Sequence, residues 1–111
     1  MTTPEGKVKA KVKKLLDEAG AYYFMPSIHG YGSSGVPDII ALLHGRFIGI
    51  ECKANTGLLT KLQEKNLSEI REHGGIGLVV DETGIELFKL FLGNVMGSSV
   101  CDVYDMRGEQ S

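Results

Sequence analysis

The stretch from Gly35 to Lys53 constrains the fold more than any other part of this chain of 111 residues. It contains two apolar runs separated by His44 and Gly45. Apolar runs joined by a short turn that contains glycine are typical of a β-hairpin. If the hairpin is symmetric about this turn, Ile39 lies opposite Ile50. The sequence therefore predicts both the hairpin and its register.

The predicted register brings two carboxylates together. Asp38 directly precedes the first strand and falls opposite Glu51, near the end of the second. Directly opposed residues place their Cβ atoms roughly 4.5–5.5 Å apart, and like charges at that distance destabilise a sheet. A cation between the two groups would remove the repulsion. Oxygen ligands at short spacing favour Mg²⁺ or Mn²⁺ over zinc, so the pair predicts a magnesium or manganese site.

Lys53 extends this predicted site along the strand. Alternate strand residues share a face, so Lys53 and Glu51 point the same way, together with Gly49. The ammonium group would orient or deprotonate a water, or stabilise charge on a phosphate, and Gly49 would leave space beside the metal. The opposite face is predicted to be the core face, with Cys52 as a buried free thiol. Its members are Ile48, Ile50 and Cys52.

Two more polar residues fall on apolar stripes of predicted helices. Glu5 lies three residues before Val8, and Gln63 lies four before Leu67. Each has a structural alternative, because Thr2 with Glu5 and Thr60 with Gln63 have the spacing of a capping box. A buried Gln requires a polar partner. Either residue can therefore serve a helix start or reach the carboxylate pair.

These residues together resemble a known nuclease family. The sequence reads Gly35-Val36-Pro37-Asp38, then Glu51-Cys52-Lys53, then Gln63, with Glu5 near the start of the first helix. This pattern resembles the virus-type replication-repair nuclease (VRR-NUC) domain of the PD-(D/E)xK superfamily. It is also similar to archaeal Holliday-junction resolvases, which have a Ser ahead of the Asp, a place that Ser34 could fill.

The resemblance implies a fold and an activity. The fold would be α/β, a restriction-endonuclease-like core with a mixed sheet flanked by helices in the order α-β-β-β-α-β. One nuclease domain would span residues 1–111, with its core at about 3–93 and an edge strand or dimer element in 94–111. The activity would be metal-dependent endonucleolytic cleavage of branched DNA, such as Holliday junctions, in DNA repair and recombination. Small stand-alone members look like homodimers encoded by phages or prophages.

The resemblance also implies roles for individual residues. Asp38, Glu51 and the main-chain carbonyl of Cys52 would ligate Mg²⁺ or Mn²⁺. Lys53 would position the attacking water. Glu5 and Gln63 would act through the metal shell or its waters.

Charge alone does not indicate a nucleic-acid partner. The net charge is −2, and basic residues concentrate before residue 76, where ten Lys and Arg face eight Asp and Glu. A local basic stripe can still bind DNA on such a protein. The predicted DNA contacts are Ser34, Lys7, Lys11, Lys61 and Lys65, with solvated helix faces as the alternative for the lysines.

Several classes of protein and site are disfavoured by the sequence. There is no apolar stretch of membrane-spanning length and no signal peptide, and two distant cysteines do not make a disulfide framework. We therefore predict a cytoplasmic location, in the host cell if a phage encodes the protein. The scattered histidines do not match zinc-ligand spacing. Neither a membrane nor an organic cofactor is expected.

One active site per domain favours a homodimer. Symmetric cutting of two strands requires two sites, which two-fold pairing supplies, and the apolar stretch Phe88–Met96 is the predicted dimer surface. Ile76–Val80 is predicted to be a central strand, Val100–Met106 an edge strand, and Ile85–Leu92 either a helix or a strand.

Three alternatives to the structure-specific nuclease remain open at this point. The first is a DNA-binding module that does not cut. The second is a restriction-type endonuclease, for which no extra recognition domain is visible. The third is a small α/β protein whose carboxylates are incidental, which the repulsion between opposed like charges disfavours.

Overall fold

Three helices and four strands make up the part of the chain that the computed structural model describes, residues 3–27, 35–55 and 57–95. The predicted α/β class, the mixed sheet flanked by helices and the order α-β-β-β-α-β are confirmed, and a third helix follows the last strand. The segment Ile85–Leu92, for which the sequence allowed either a helix or a strand, is helical. In chain order the elements are α1 (Pro4–Ala19), β1 (Tyr22–Phe24), β2 (Ile39–Leu43), β3 (Arg46–Cys52), α2 (Lys61–Glu72), β4 (Ile76–Val80) and α3 (Ile85–Asn94).

The sheet has the strand order β1-β2-β3-β4, antiparallel except for the parallel pair β3 and β4. His44 and Gly45 both have positive φ, 51° and 77°, as in a type I′ turn, whose twist matches that of the strands it joins. Ile39 pairs with Ile50. The predicted hairpin and its register are therefore confirmed.

The main core lies between one face of the sheet and helices α1 and α3. Val8, Val12 and Leu16 recur at helical spacing on α1 and are fully buried. Phe88 and Leu92 of α3 complete this layer. The predicted core face of β3 is confirmed, and Cys52 is a buried free thiol as expected. The inward sheet residues are Ile39, Ala41, Leu43, Ile48, Ile50, Cys52 and Val80.

Helix α2 covers part of the opposite face, and this overturns one prediction about Gly49. A Cβ on Gly49 would lie 2.6 Å from Cδ1 of Ile70 and 3.2 Å from Cγ of Pro37. Because Gly49 has no side chain, α2 can pack closely against β3 at this point. Ile70 and Pro37 therefore fill the space that was predicted beside a metal. Gly77 has the same role on β4, since its Cβ would lie 3.0 Å from the carbonyl oxygen of Leu67.

β4 stands at one edge of the described sheet, although its apolar composition predicts a central position. The helices beside it account for that composition. Helix α2 packs on it at Gly77, and α3 borders it around Leu78 and Val80. An edge strand covered on both faces has the composition of a central one.

The predicted dimer surface Phe88–Met96 is only partly available. Phe88 and Leu92 are buried in the core, whereas Leu87 and Leu90 are exposed. Met96 and the predicted strand Val100–Met106 lie outside the described residues, as does most of the predicted terminal element 94–111. Across the described ranges, no helix combines the length and apolar character that crossing a bilayer requires.

Gly35 fixes the approach of the Asp38 segment to α2, and this generates a stability prediction. Its φ is +101°, and an added Cβ would lie 2.7 Å from the carbonyl carbon of Leu62. Gly35→Ala should therefore lower the free energy of unfolding by about 2–4 kcal/mol through backbone strain and displacement of α2.

Gly20→Ala is the matched control for this substitution. Gly20 also has a positive φ, 78°, but no atom lies within 4 Å of its Cβ position. The expected loss is about 1 kcal/mol. Urea unfolding of both variants measures the difference, and equal losses would contradict the close approach of Gly35 to Leu62.

Candidate metal centre

Asp38 and Glu51 lie at the open end of the hairpin, where β2 begins and β3 ends. The pairing of Ile39 with Ile50 places them at the next register position, opposite each other. The first turns of α1 and α2 supply the other polar groups. The site is thus built from the ends of four elements, β2, β3, α1 and α2. The local sequence specifies each of these elements.

The backbone of β3 holds the carboxylate of Asp38. The main-chain N–H of Cys52 donates to Oδ2 of Asp38 at 2.9 Å. The next N–H, of Lys53, donates to the carbonyl of Val80 on the β4 side at 2.9 Å. Because the N–H and C=O of one strand residue point to the same side, the Cys52 carbonyl faces the Asp38 side. The predicted carbonyl ligand therefore has the required direction.

Glu51 is a buried carboxylate with one oxygen occupied and one without a partner. It is 3% exposed. Oε2 accepts from Nε2 of Gln63 at 3.0 Å and lies 3.8 Å from Nζ of Lys53. Oε1 is buried and has no hydrogen-bond partner among the described residues. A buried oxygen without a partner carries a desolvation cost that a proton or a cation would relieve.

Gln63 combines the two roles that the sequence presented as alternatives. Its side-chain Oε1 accepts from the main-chain N–H of Thr60 at 2.9 Å, and the Thr60 hydroxyl accepts from its main-chain N–H at 3.1 Å. This capping box orients the amide so that Nε2 points at Glu51. The helix start and the site are therefore coupled through one side chain.

The surroundings of Glu51 disfavour its charged form. The pKa of the Glu51 carboxyl is raised to about 7, chiefly by burial and then by the charge of Asp38 and a hydrogen bond that protonated Glu51 shares with Asp38. Lys53 opposes the shift, whereas Glu5 adds to it. Burial also raises the pKa of the Cys52 thiol to about 12, so this sulfur remains neutral in the core.

Glu5 is half-buried on the first turn of α1, close enough to raise the pKa of Glu51 through its charge. The capping alternative for Glu5 loses support. Thr3 is the N-cap, with its hydroxyl accepting from the main-chain N–H of Gly6, while Thr2 lies outside the described residues. Glu5 therefore remains available to the site.

Lys9 is the site residue that sequence reasoning missed. Its Nζ lies 3.6 Å from Oδ1 of Asp38, although the helical pattern had assigned the α1 lysines to solvent-facing positions. One signal was present, since Lys9 follows Glu5 by four residues and such pairs share a helix face. Each carboxylate of the pair thus has a lysine beside it, Lys9 at Asp38 and Lys53 at Glu51.

The predicted DNA contacts comprise one residue outside the described ranges and four exposed lysines. Ser34 is outside the described residues, so its predicted DNA contact has no structural account. Four predicted lysines are exposed, and one of them, Lys11, borders a groove between α1 and α3. The four are Lys7, Lys11, Lys61 and Lys65.

The donor set fits a hard divalent cation that completes its shell with water. In the described ranges, no group of three His, Cys, Asp or Glu side chains is arranged to hold a metal. Two carboxylates and a main-chain carbonyl suit Mg²⁺, which keeps several waters and needs few protein carboxylates. Oε1 of Glu51, buried without a partner, is the position that such an ion would relieve.

Comparison with known proteins adds no assignment. Neither the models of known protein families nor the curated protein sequences give a match to this chain. The geometry and electrostatics around Asp38 and Glu51 therefore carry the functional inference.

The raised pKa of Glu51 predicts a pH-dependent gain from Glu51→Gln in metal-free protein. The folded pKa of about 7 exceeds the ordinary pKa of a glutamate, 4.5, so the wild type loses stability as pH rises from 4.5 to 7. Glutamine has no such ionisation cost. We expect Glu51→Gln to raise the free energy of unfolding by about 2 kcal/mol at pH 8 and to change it little below pH 4.5.

Urea titrations in the presence of a chelator measure this difference across the pH range. Glu18→Gln, at an exposed carboxylate of α1, is the control and should leave the pH profile of stability close to that of the wild type. A Glu51→Gln variant that is less stable than the wild type at pH 8 would contradict a net unfavourable environment for the charge.

Proposed function

We propose that this protein is a divalent-metal-dependent DNA endonuclease that hydrolyses phosphodiester bonds in branched DNA. The observation that carries the proposal is the opposed pair Asp38 and Glu51, of which Glu51 is buried with its Oε1 lacking a partner among the described residues. Like charges placed together in a buried setting cost stability, and such costs cluster at functional sites. The resemblance to VRR-NUC and PD-(D/E)xK nucleases supports the same assignment.

Each residue of the site has a defined role in this proposal. Asp38, Glu51 and the carbonyl of Cys52 would hold Mg²⁺ or Mn²⁺, with Asp38 oriented by the Cys52 N–H. When bound, the ion would lower the pKa of a water and offset negative charge on the phosphate. Lys53, 3.8 Å from Glu51, would orient that water, and Gln63 would hold Glu51 in place.

The substrate and the setting follow from the resemblance and from charge. Exposed lysines at positions 7, 11, 61 and 65 offer phosphate contacts around the site, and their contribution should fall as salt rises. Holliday junctions are the proposed substrate, with DNA repair or recombination as the process. The proposed location is the cytoplasm, that of the host cell if a phage encodes the protein.

A non-cleaving DNA-binding module is the second candidate, and the exposed lysines are equally compatible with it. A module of this kind has no need for an opposed carboxylate pair in which the surroundings raise the pKa of the buried Glu51 to about 7. Because a binding module would gain nothing from this loss of stability, the carboxylate pair favours the endonuclease over the binding module.

The activity prediction uses a labelled four-way junction beside a linear duplex of matched sequence, with Mg²⁺ or Mn²⁺ added. We expect metal-dependent cutting of the junction in preference to the duplex. Lys53→Ala should reduce the cleavage rate about 100-fold or more, because an electrostatic contact at the reacting groups is lost. Lys89→Ala, at an exposed lysine of α3, should cut at the wild-type rate.

Binding of the junction without cutting under both metals would contradict the enzyme and favour the binding module. Equal loss of cleavage in Lys53→Ala and Lys89→Ala would also contradict the assigned role of Lys53.

Lys9 generates a separate prediction about metal affinity. Its ammonium lies 3.6 Å from Asp38 and must give up that contact when a cation binds the carboxylate. Lys9→Met should therefore tighten Mn²⁺ binding by roughly three- to tenfold. Titration calorimetry measures the affinity, and Lys13→Met on the same helix is the control. Weaker Mn²⁺ binding in Lys9→Met would contradict the competition.

A further inference from the structure

A cavity of about 470 Å³ lies between the second half of α2 and the start of β3. Its volume falls within the range of about 300–1,000 Å³ that is usual for ligand pockets. The four residues that α2 contributes recur at the spacing i, i+3, i+4 and i+7, so they share one face of the helix. The lining residues are Phe47, Asn66, Glu69, Ile70, His73 and Gly75.

The cavity depends on a glycine and on an exposed aromatic ring. A Cβ on Gly75 would lie 2.8 Å from Cγ2 of Ile70 and 3.2 Å from Cδ1 of Phe47. A side chain at position 75 would therefore occupy space next to both. Phe47 is 45% exposed, so its ring offers a flat apolar surface on which a planar group can stack.

The polar atoms that the fold leaves unused in this cavity include three acceptors. Nδ2 of Asn66 donates to the carbonyl of Leu62 at 2.8 Å, so Oδ1 is the atom left unused. Nδ1 of His73 lies 2.7 Å from the carbonyl of Glu69, which can only accept, so Nε2 of the neutral ring is an acceptor. Within the described ranges, the carboxylate of Glu69 has no hydrogen bond or ion pair.

The electrostatic surroundings of the cavity favour a cation. Among the described residues that line it, Glu69 alone carries a formal charge. The cavity also lies at the C-terminal end of α2, where the helix dipole attracts positive charge. Arg71, the basic residue of this last turn, is directed to the carbonyl of Gly77 instead. A phosphate would meet negative charge from both the carboxylate and the helix end, which disfavours a nucleic-acid backbone.

We propose that this cavity, the α2 pocket, binds an arginine side chain of a partner protein. A guanidinium group is planar and cationic, and it carries five donors and no acceptor. It can stack on Phe47 while it donates to the carboxylate of Glu69. The ammonium group of lysine has no plane to stack. A guanine base presents acceptors beside its donors and brings phosphates with it.

A neighbouring apolar groove favours a protein as the source of this arginine. Phe47 borders both the α2 pocket and the groove, so the two are continuous. Residues that flank an arginine in a partner chain would find apolar contacts in the groove, which free arginine would not use. Arginine and aromatic residues are also enriched in protein interfaces. The groove is lined by Tyr22, Phe24, Ile40, Ala41, Leu42 and Phe47.

The α2 pocket is separate from the carboxylate pair. Gln63, which contacts Glu51, lies in the first turn of α2, whereas His73 is the C-cap of the same helix. Ten residues of helix separate the two by about 15 Å. A partner bound in the α2 pocket would therefore leave Glu51 and Asp38 unoccupied. Arginine binding is independent of the proposed nuclease activity.

An NMR titration of the ¹⁵N-labelled full chain with Nα-acetyl-arginine amide tests the α2 pocket, because this probe mimics an arginine within a polypeptide. We expect saturable shifts of the amide signals of Phe47, Glu69 and His73, with a Kd of about 1–10 mM. Nα-acetyl-citrulline amide has a similar shape without the charge. It should bind about fivefold more weakly or less.

Two variants of α2 form a matched pair for this titration. Glu69→Gln removes the charge from the pocket and should weaken binding of the arginine probe about fivefold. Glu64→Gln removes the same charge from an exposed position of α2 outside the pocket and should bind like the wild type. Phe47→Leu should also weaken binding, because the cation–π contact is lost. Circular dichroism establishes that each variant folds. If Phe47→Leu does not fold, Glu69→Gln, at an exposed helix position, decides alone.

Three results would overturn the proposal. The first is the absence of saturable shifts at Phe47, Glu69 and His73 up to probe concentrations well above the expected Kd. The second is equal weakening in Glu69→Gln and Glu64→Gln, which would indicate attraction to the overall charge of α2. The third is tighter binding of free L-arginine or of deoxyguanosine than of the capped probe, which would indicate an amino-acid or nucleobase pocket.

Discussion

The opposition of two carboxylates across a hairpin is the constraint on which the rest of this structure depends. Asp38 and Glu51 are held together by a register that the turn and the apolar strands fix, and Glu51 is buried. Neither group can move away without losing the Cys52 or Gln63 hydrogen bond. The fold thus maintains an arrangement in which burial, and then repulsion by Asp38, raise the pKa of Glu51 to about 7.

The surrounding elements are arranged around this repulsion. Helix α1 brings Lys9 to Asp38, and the strand itself brings Lys53 to Glu51, so each carboxylate has one nearby ammonium group. Helix α2 brings Gln63, whose capping box fixes which amide atom meets Glu51. Among the described residues, Oε1 of Glu51 has no hydrogen-bond partner, which is the feature a bound cation would change.

Local chemistry made most of this site predictable. A turn with positive φ at both central residues sets the register, and the register brings Asp38 opposite Glu51. The capping-box spacing of Gln63 was equally visible. What could not be predicted depends on how helices dock. Lys9 meets Asp38 because of the docking of α1, and Ile70 fills the space at Gly49 because of the docking of α2. Neither contact has a local sequence signal strong enough to decide it.

The most direct test of the central claim is the position of a bound metal in a crystal of the protein grown with Mn²⁺, located by anomalous scattering. We expect one anomalous peak between Asp38 and Oε1 of Glu51, within coordinating distance of both carboxylates, with the Lys9 contact released. A crystal saturated with Mn²⁺ that shows no peak there, while Lys9 and Lys53 still contact the carboxylates, would contradict a metal site at this pair.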